Sequence, residues 1–228
     1  MGATAPVICI DGPSGSGKGT ISRLLARRLG WHLLDSGALY RLTALAALDA
    51  GVELEEAEAV AACAGRMRVA FRPGGAERVT VTLDGRDVSA RLREQTTGEA
   101  ASRVAALAPV RRALLQRQRD FRRPPGLVAD GRDMGTTVFP DAPLKIFLTA
   151  SPEERARRRH KQLMEMGLGA NLHKLASEIR DRDRRDATRA ASPLRPAADA
   201  VELDSTGVPV EQVLEAVMQQ ARRRGLAE

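Results

Sequence analysis

Five short apolar runs recur along the chain, and segments with helical spacing of apolar residues separate most of them. The runs cover residues 7–11, 32–35, 127–130, 144–148 and 201–204. Runs of this length predict strands, and continuous apolar strands alternating with amphipathic helices are typical of a parallel sheet that helices cover on both faces. The pattern therefore predicts an α/β fold of three layers around a five-stranded parallel sheet.

A different alternation in the middle of the chain predicts a hairpin. Its two segments are residues 67–71 and 78–83, and Pro73-Gly74-Gly75 lies between them. Turn residues between two alternating segments are a hairpin signature. Helical patterns around residues 38–50 and 99–122 flank the hairpin, so we expect a small insertion domain with antiparallel strands at residues 38–122.

The first predicted strand leads into a glycine-rich segment, Asp11-Gly12-Pro13-Ser14-Gly15-Ser16-Gly17-Lys18-Gly19-Thr20. The spacing of Gly12, four residues, then Gly17 and Lys18 is the Walker A arrangement, whose backbone N–H groups surround a polyphosphate. A helix predicted from about Lys18 adds the positive end of its dipole. The segment predicts a phosphate-binding loop with Lys18 at the β- and γ-phosphates, and a tight strand-to-helix turn is the alternative.

One position departs from the Walker A pattern. A serine or threonine that binds Mg²⁺ normally follows the lysine, whereas this chain has Gly19 there and Thr20 one position later. We therefore expect no direct metal ligand from the loop, and a Mg²⁺ ion that keeps several of its waters. Asp130, at the end of a predicted strand, is a candidate to bind such a water, and shaping of the turn at Gly131 is the alternative.

Arginine dominates the basic residues, since lysine fills only four of the 36 Lys and Arg positions in a chain of formal net charge +7. A guanidinium binds oxyanions through two parallel hydrogen bonds, so an arginine-dense polyphosphate site is one explanation. A genome that favours arginine over lysine is the other. Nucleic-acid binding is disfavoured because one Trp, one Tyr and four Phe leave few rings for base stacking.

Signals for membranes, disulfides and metals are missing from the sequence. No apolar stretch approaches the roughly 18 residues that span a bilayer, and the first residues lack a charged segment followed by an apolar one. We therefore expect a cytoplasmic protein without membrane contact. Cys9 and Cys63 lie in predicted core elements and predict buried thiols. His32, His160 and His173 lack the spacing of a metal site.

A second basic region predicts two helices at residues 152–189. Ser151-Pro152 followed by acidic residues is a normal helix start, and several arginines follow. Met166-Gly167-Leu168-Gly169 then interrupts the helical pattern. A glycine-bearing segment between two arginine-rich helices suits a mobile lid that brings cations over phosphates. A solvated, charged helical hairpin is the alternative.

Polar groups also follow the second and third predicted strands. Asp35-Ser36-Gly37-Ala38-Leu39-Tyr40-Arg41 follows the second, and Ala129-Asp130-Gly131-Arg132-Asp133-Met134-Gly135-Thr136 lies at the end of the third. In parallel sheets, ligands bind beyond the carboxyl ends of the strands. We expect these side chains to converge on a second ligand beside the nucleotide.

Taken together, the motifs make the chain resemble the bacterial cytidylate kinases, which are P-loop nucleoside monophosphate kinases. The resemblance rests on IDGPSGSGKGT at residues 10–20, HLLDSGALYR at 32–41, ADGRDMGTTVFPDAPLKIFL at 129–148 and RDRRDATR at 182–189. The expected organisation is a P-loop kinase core at 1–37, 123–151 and 190–228, a monophosphate-binding insertion domain at 38–122 and a helical lid at 152–189.

The resemblance implies ATP-dependent phosphorylation of CMP and dCMP to the diphosphates, with Mg²⁺, in a cytoplasmic monomer. It implies ATP binding by Gly12, Pro13, Ser14, Gly15, Ser16, Gly17, Lys18, Gly19 and Thr20. It implies that Ser102, Arg111 and Asp133 bind the cytosine, that Arg41, Arg132 and Arg189 bind the acceptor phosphate, and that Ser36, Arg182 and Asp186 bind the ribose. Its catalytic residues are Lys18, Arg132, Arg182 and a lid arginine, Arg158 or Arg159.

These roles suit the chemistry of the acceptor. Cytosine has an exocyclic amine that donates to a carboxylate such as Asp133, and ring acceptors that suit Arg111. Uracil has an oxygen in place of the amine, so we expect CMP and dCMP to be better substrates than UMP. A kinase for another small acceptor and a nucleotide-regulated nucleic-acid-binding protein are the alternative functions.

Overall fold

The computed structural model describes residues 4–73, 79–165, 167 and 169–228. The chain divides into two compact units. The first, here called the core unit, consists of Met1–Asp35 and Arg119–Glu228, and the second, the insertion unit, consists of Ser36–Gln118. No helix in the described ranges has the length and apolar character needed to cross a membrane.

Strands and helices are numbered here in chain order. The strands are β1 (Val7–Asp11), β2 (His32–Asp35), β3 (Val69–Pro73), β4 (Val79–Leu83), β5 (Arg86–Asp87), β6 (Leu127–Gly131), β7 (Leu144–Thr149) and β8 (Val201–Asp204). The helices are α1 (Lys18–Leu29), α2 (Ser36–Asp49), α3 (Ala57–Arg66), α4 (Gln95–Val104), α5 (Ala108–Arg119), α6 (Pro152–Glu165), α7 (Leu172–Thr188) and α8 (Val210–Arg223).

The core unit contains a five-stranded sheet in the order β2-β6-β1-β7-β8, and all its strands are parallel. The predicted parallel sheet is therefore confirmed, and each strand ends within one residue of its predicted end. The central strand β1 is buried along its whole length, as its continuous apolar sequence requires. Its last residue, Asp11, lies opposite Gly131 of β6 and Phe147 of β7.

Helices α1 and α8 cover this sheet with apolar side chains. Ile21 and Leu25 of α1, four residues apart and therefore on one face, pack with Ile8 of β1 and Val217 of α8 in a cluster of buried residues. Each such side chain stabilises the fold by roughly 1.5–3 kcal/mol through burial. The packing fixes α1 against β1, and so fixes both ends of the glycine-rich loop between them.

The insertion unit has helices packed on α2 and a separate antiparallel sheet in the order β3-β4-β5. Val69 lies opposite Leu83, so the predicted hairpin is confirmed, while Gly74 and Gly75 of its predicted turn lie outside the described residues. The helical region expected around 99–122 is instead two helices, α4 and α5. Pro109 explains the break, because proline lacks an N–H and is tolerated only in the first turn of a helix.

Helices α6 and α7 correspond to the two predicted basic helices. They pack through a small apolar cluster of Ala156, Leu163 and Leu175, and Asn171 caps α7 by accepting a hydrogen bond from the Lys174 N–H. Met166 and Leu168 of the predicted interruption lie outside the described residues. Both helices belong to the core unit.

Candidate active site

The glycine-rich loop runs from the end of β1 to the start of α1. Gly12 has φ +150°, and a Cβ atom there would lie 2.0 Å from the Leu148 carbonyl oxygen of β7. Gly17 precedes α1 with φ 92° in the left-handed region, which glycine adopts without steric cost. Gly12 therefore lets the loop lie close to the sheet. Gly17 lets the chain turn into α1, so that the positive end of the α1 dipole faces the space that the loop encloses.

Side chains from later in the core unit hold the backbone of this loop. The carbonyl oxygen of Ser16 accepts hydrogen bonds from Ser205 Oγ at 3.0 Å and from Arg158 Nη1 at 3.3 Å. Arg158 also donates to the Ser205 carbonyl oxygen at 2.6 Å. The Ser16 side chain is fully buried, and its hydroxyl has no hydrogen-bond partner among the described residues.

Arg155 of α6 makes a second attachment to the loop. Its side chain is 3% exposed and pairs with Asp183 of α7 through two hydrogen bonds of 2.9 and 2.5 Å. The same guanidinium donates to the carbonyl oxygens of Ser14 and Ala150. One arginine thus joins the phosphate loop, the end of β7 and both basic helices.

Lys18 is buried beside the loop, where its Nζ donates to the Pro13 carbonyl oxygen at 3.0 Å. The pKa of Lys18 is lowered to about 7, mainly by burial and also by the nearby Arg132 and Arg182, while Asp130 and Asp35 act in the opposite direction. Burial without full charge compensation disfavours the ammonium form. An anion bound in the loop would supply the missing negative charge.

Asp130, at the end of β6, lies against Gly19. A Cβ atom on Gly19 would be 3.1 Å from Asp130 Oδ2, so the departure from the Walker A pattern leaves room for this carboxylate. Burial raises the pKa of Asp130 to about 6, although Lys18 lowers it. Within the described ranges, no three His, Cys, Asp or Glu side chains are grouped so as to hold a metal ion.

Further predicted site residues of the core unit lie after β6 and along α7. Arg132 donates from Nε to Asp186 Oδ2 at 3.2 Å, and both side chains are largely buried. Arg189 directly follows α7, and its Nε donates to the Ser192 carbonyl oxygen. The structure therefore pairs one residue predicted to bind the acceptor phosphate with one predicted to bind the ribose.

Asp133 lies in the turn after β6 and is 2% exposed. Its carbonyl oxygen accepts the N–H of Thr137 at 2.9 Å. The next two N–H groups, of Met134 and Gly135, donate to the carboxylate of Asp11, each at 2.8 Å. The pKa of Asp11 is raised to about 7, mainly by burial and also by the Asp133 carboxylate, against the lowering effect of these two bonds.

The insertion unit carries the remaining predicted residues. Ser36 is buried at the start of α2, and Arg41 donates from Nη1 to the Leu92 carbonyl oxygen at 2.6 Å. Arg111 of α5 lies over the ring of Tyr40, with Cζ 5.6 Å from the ring centroid, a cation–π arrangement. Ser102 of α4 has a buried hydroxyl without a hydrogen-bond partner in the part of the chain that the structure describes.

Comparison with known proteins gives a family for this chain. A family model described as "Cytidylate kinase" matches residues 8–223. A cytidylate kinase of Pseudomonas fluorescens (strain SBW25) is 58% identical over 230 residues, which cover 100% of each chain. A cytidylate kinase of Pseudomonas putida (strain W619) is 57% identical over 229 residues, which cover 99% of this chain and 100% of its own.

The chain belongs to the cytidylate kinase family. The resemblance inferred from the four sequence motifs is thereby confirmed. Among solved structures, a shikimate kinase from Bacteroides thetaiotaomicron aligns over 96% of each chain with a TM-score of 0.43 at 15% identity, a likeness too weak to add to the sequence match.

As a cytidylate kinase, the chain brings several of its predicted residues together within each unit. Lys18, Arg132 and Arg182 lie close enough in the core unit for both arginines to lower the pKa of the lysine. The two lid candidates differ, because Arg158 is bonded to Ser205 and the loop. Arg159 is half-buried and makes no hydrogen bond or ion pair within the described part of the chain.

Sequence reasoning assigned no role to several residues that hold predicted site residues in place within their unit. They are Asp11, Tyr40, Arg155, Asp183 and Ser205. A signal existed for Tyr40, the single tyrosine of the chain, which directly precedes Arg41. No signal existed for the Arg155–Asp183 pair, because its members lie 28 residues apart among many other charges.

Proposed function

We propose that this cytidylate kinase transfers the terminal phosphoryl group of ATP in line to a phosphate oxygen of CMP or dCMP, which yields CDP or dCDP and ADP. The observation that carries the function is the family match over residues 8–223, a range that includes the phosphate loop. The roles that follow are assigned to residues by their positions in the motifs and by their surroundings.

The acceptor needs no general base. Its nucleophile is a phosphate oxygen, which is largely ionised at neutral pH because the second phosphate pKa is about 6. Catalysis then consists of aligning two anions and offsetting their charge. Residues 12–20 bind the ATP phosphates, and Lys18, whose pKa of about 7 leaves its charge poorly stabilised without a ligand, regains full protonation when those phosphates bind.

Arginines bind the acceptor phosphate and the transferring group. Arg41, Arg132 and Arg189 bind the CMP phosphate, while Ser36, Arg182 and Asp186 bind the ribose hydroxyls. The Arg132–Asp186 pair at 3.2 Å supports a shared role, since it orients the Arg132 guanidinium. Arg159 is the better candidate for the transferring phosphoryl group, because Arg158 already donates to the loop and to Ser205.

Ser102, Arg111 and Asp133 bind the cytosine. The buried Ser102 hydroxyl has no hydrogen-bond partner in the described ranges, and a buried unpaired polar group is costly unless a ligand satisfies it. Tyr40 and the Ala105 carbonyl oxygen fix the direction of the Arg111 guanidinium. Asp133 accepts from the exocyclic amine of cytosine, which uracil lacks.

Mg²⁺ fits this chain as a water-coordinated ion on the ATP phosphates. Gly19 offers no hydroxyl, whereas the buried Asp130 carboxylate lies against that glycine and is suited to accept from metal-bound water. The ion would add positive charge between the phosphates.

The enzyme acts as a monomer in the cytoplasm and needs no nucleic acid. None of the roles proposed above needs a residue from a second chain, as expected for a monomer. Light scattering after size-exclusion chromatography should give a mass near 24.5 kDa, and a stable dimer would contradict the assignment.

The acceptor preference tests the proposal. In a coupled assay of ADP release, CMP and dCMP should give the highest kcat/KM, and UMP should be weaker by a factor of up to about 10⁴, because an oxygen would face the Asp133 carboxylate. Equal rates with CMP and UMP would contradict the base-binding roles. ATP turnover that does not depend on any monophosphate would contradict the kinase function itself.

A further inference from the structure

Asp11 is a buried carboxylate for which the mechanism above has no use. It is the last residue of the central strand β1, directly before the phosphate loop, and it is 5% exposed. No lysine or arginine forms an ion pair with it among the described residues. Its two oxygens instead accept the backbone N–H groups of Met134 and Gly135, one oxygen for each, both at 2.8 Å.

These two N–H groups belong to the segment that carries the acceptor-binding residues. Arg132 and Asp133 directly precede Met134, and residues 134–138 form a single wide helical turn. In its ionised form, a carboxylate that accepts two N–H groups at the start of such a turn makes charge-assisted hydrogen bonds, which are stronger than neutral ones. Asp11 therefore holds the segment at its first turn.

The same segment is also packed against a side chain of β7. A Cβ atom on Gly135 would lie 3.0 Å from Lys145 Cδ. Lys145 cannot easily yield, since it is buried and donates to the Pro140 carbonyl oxygen at 2.7 Å and to Asp199. A hydrogen bond to Asp11 and close packing with Lys145 therefore both hold Gly135 in place. These two contacts restrict the positions of Arg132 and Asp133.

We propose that Asp11 is a positioning residue for acceptor specificity, which fixes Arg132 and Asp133 by holding the N–H groups of Met134 and Gly135. The proposal rests on the base and phosphate roles given above. Under this proposal Asp11, the residue directly before the phosphate loop, influences which monophosphate the enzyme accepts, although its side chain contacts neither substrate.

Asp11→Asn is the most direct test because the side chain keeps its shape. Its amide nitrogen donates and cannot accept, so it faces one of the two N–H groups without a bond. We expect the KM for CMP to rise about tenfold and the preference for CMP over UMP to fall by a similar factor, while the KM for ATP stays within about twofold. If Asp11 had only a structural role, Asp11→Asn would lower stability and raise the KM for ATP and the KM for CMP alike.

Gly135→Ala displaces the same segment, because the added methyl group would lie 3.0 Å from Lys145 Cδ. The Asp11 side chain itself is not altered. This variant should reproduce the selective rise in the KM for CMP, and it carries the comparison if Asp11→Asn does not fold. Asp141→Asn is the matched control, since it removes a carboxylate that is 61% exposed and pairs with Arg122. Its kinetic constants should match those of the unaltered enzyme.

Hydrogen exchange of the ligand-free enzyme gives a readout that does not depend on activity. Asp11→Asn should speed amide exchange in a peptide covering residues 132–138 and leave a peptide from α1 unchanged. Unchanged exchange, an unchanged KM for CMP and an unchanged CMP preference in this variant would overturn the proposal. Asp133→Ala distinguishes a failure of the positioning role of Asp11 from a failure of the base-binding roles. If Asp133→Ala also leaves the preference for CMP unchanged, the base-binding roles themselves are wrong.

Discussion

Lys18 shows how burial prepares a cation for a ligand. The residue is 7% exposed and its pKa is lowered to about 7, so the protein loses little when the side chain is removed. Lys18→Ala should therefore remain folded, with an unchanged melting temperature, and lose about 10²-fold or more in kcat/KM. Thermal unfolding and initial rates check this, and near-normal turnover would contradict the role of Lys18.

The lowered pKa of Lys18 predicts how the affinity for ATP depends on pH. About one pH unit or more below 7, Lys18 is protonated in the free enzyme and in the complex, so its contribution to ATP affinity is complete. Bound phosphates raise the pKa of Lys18 above its free value of about 7, so above pH 7 binding requires proton uptake and affinity falls by up to about tenfold per pH unit.

Titration calorimetry in two buffers of different ionisation enthalpy measures this proton uptake directly. Lys18→Ala is the matched control, because it retains the titration of the ATP phosphates. Equal pH dependence in the two proteins would show that Lys18 keeps its proton in the free enzyme.

Asp130 illustrates why Gly19 replaces the usual hydroxyl residue. A Cβ atom at position 19 would lie only 3.1 Å from the Asp130 Oδ2 atom, which is a tight contact. Asp130→Asn should raise the Mg²⁺ concentration that gives half-maximal rate by about tenfold, because an amide holds metal-bound water less strongly than a carboxylate. The KM for CMP should stay unchanged. A normal Mg²⁺ dependence would assign Asp130 to the turn alone.

At the scale of elements, α6 and α7 are attached to the phosphate loop through Arg155. Arg155→Ala removes a buried bidentate pair with Asp183 and two bonds to backbone carbonyls. It should lower the free energy of unfolding by about 3 kcal/mol and raise the KM for ATP. Urea unfolding checks the stability.

Arg157→Ala is the control on the same helix. Arg157 is 64% exposed and its nearest approach to Glu154 is 3.5 Å, and exposed pairs contribute about 1 kcal/mol or less. Equal losses of stability in the two variants would show that the Arg155 bonds do not hold the helices to the loop.

The elements also show what the sequence could predict. The five parallel strands were predicted to within one residue at their ends because continuous apolar runs with polar ends have few other interpretations. The division of the expected 99–122 region by Pro109 was missed. The hydrogen bonds of Asp11 could not be predicted from the sequence either, since its partners lie 123 and 124 residues away. In the sequence, an aspartate at the end of a strand also resembles an ordinary turn residue.

Across the whole molecule, many arginines have a role that composition did not suggest. Besides pairing with carboxylates, their guanidinium groups donate to backbone carbonyl oxygens. In the core unit Arg122 donates to Ala5, and in the insertion unit Arg117 donates to Met67 and Arg41 to Leu92. A planar fork with five N–H donors can satisfy several acceptors at once. Part of the arginine excess therefore stabilises loops.

The central claim is that this chain transfers a phosphoryl group from ATP to CMP. Phosphorus NMR of the purified enzyme with ATP, CMP and Mg²⁺ follows all phosphorus species in one sample. The account predicts that ADP and CDP appear in equal amounts, and that neither appears when CMP is omitted. Release of inorganic phosphate in place of CDP would contradict it.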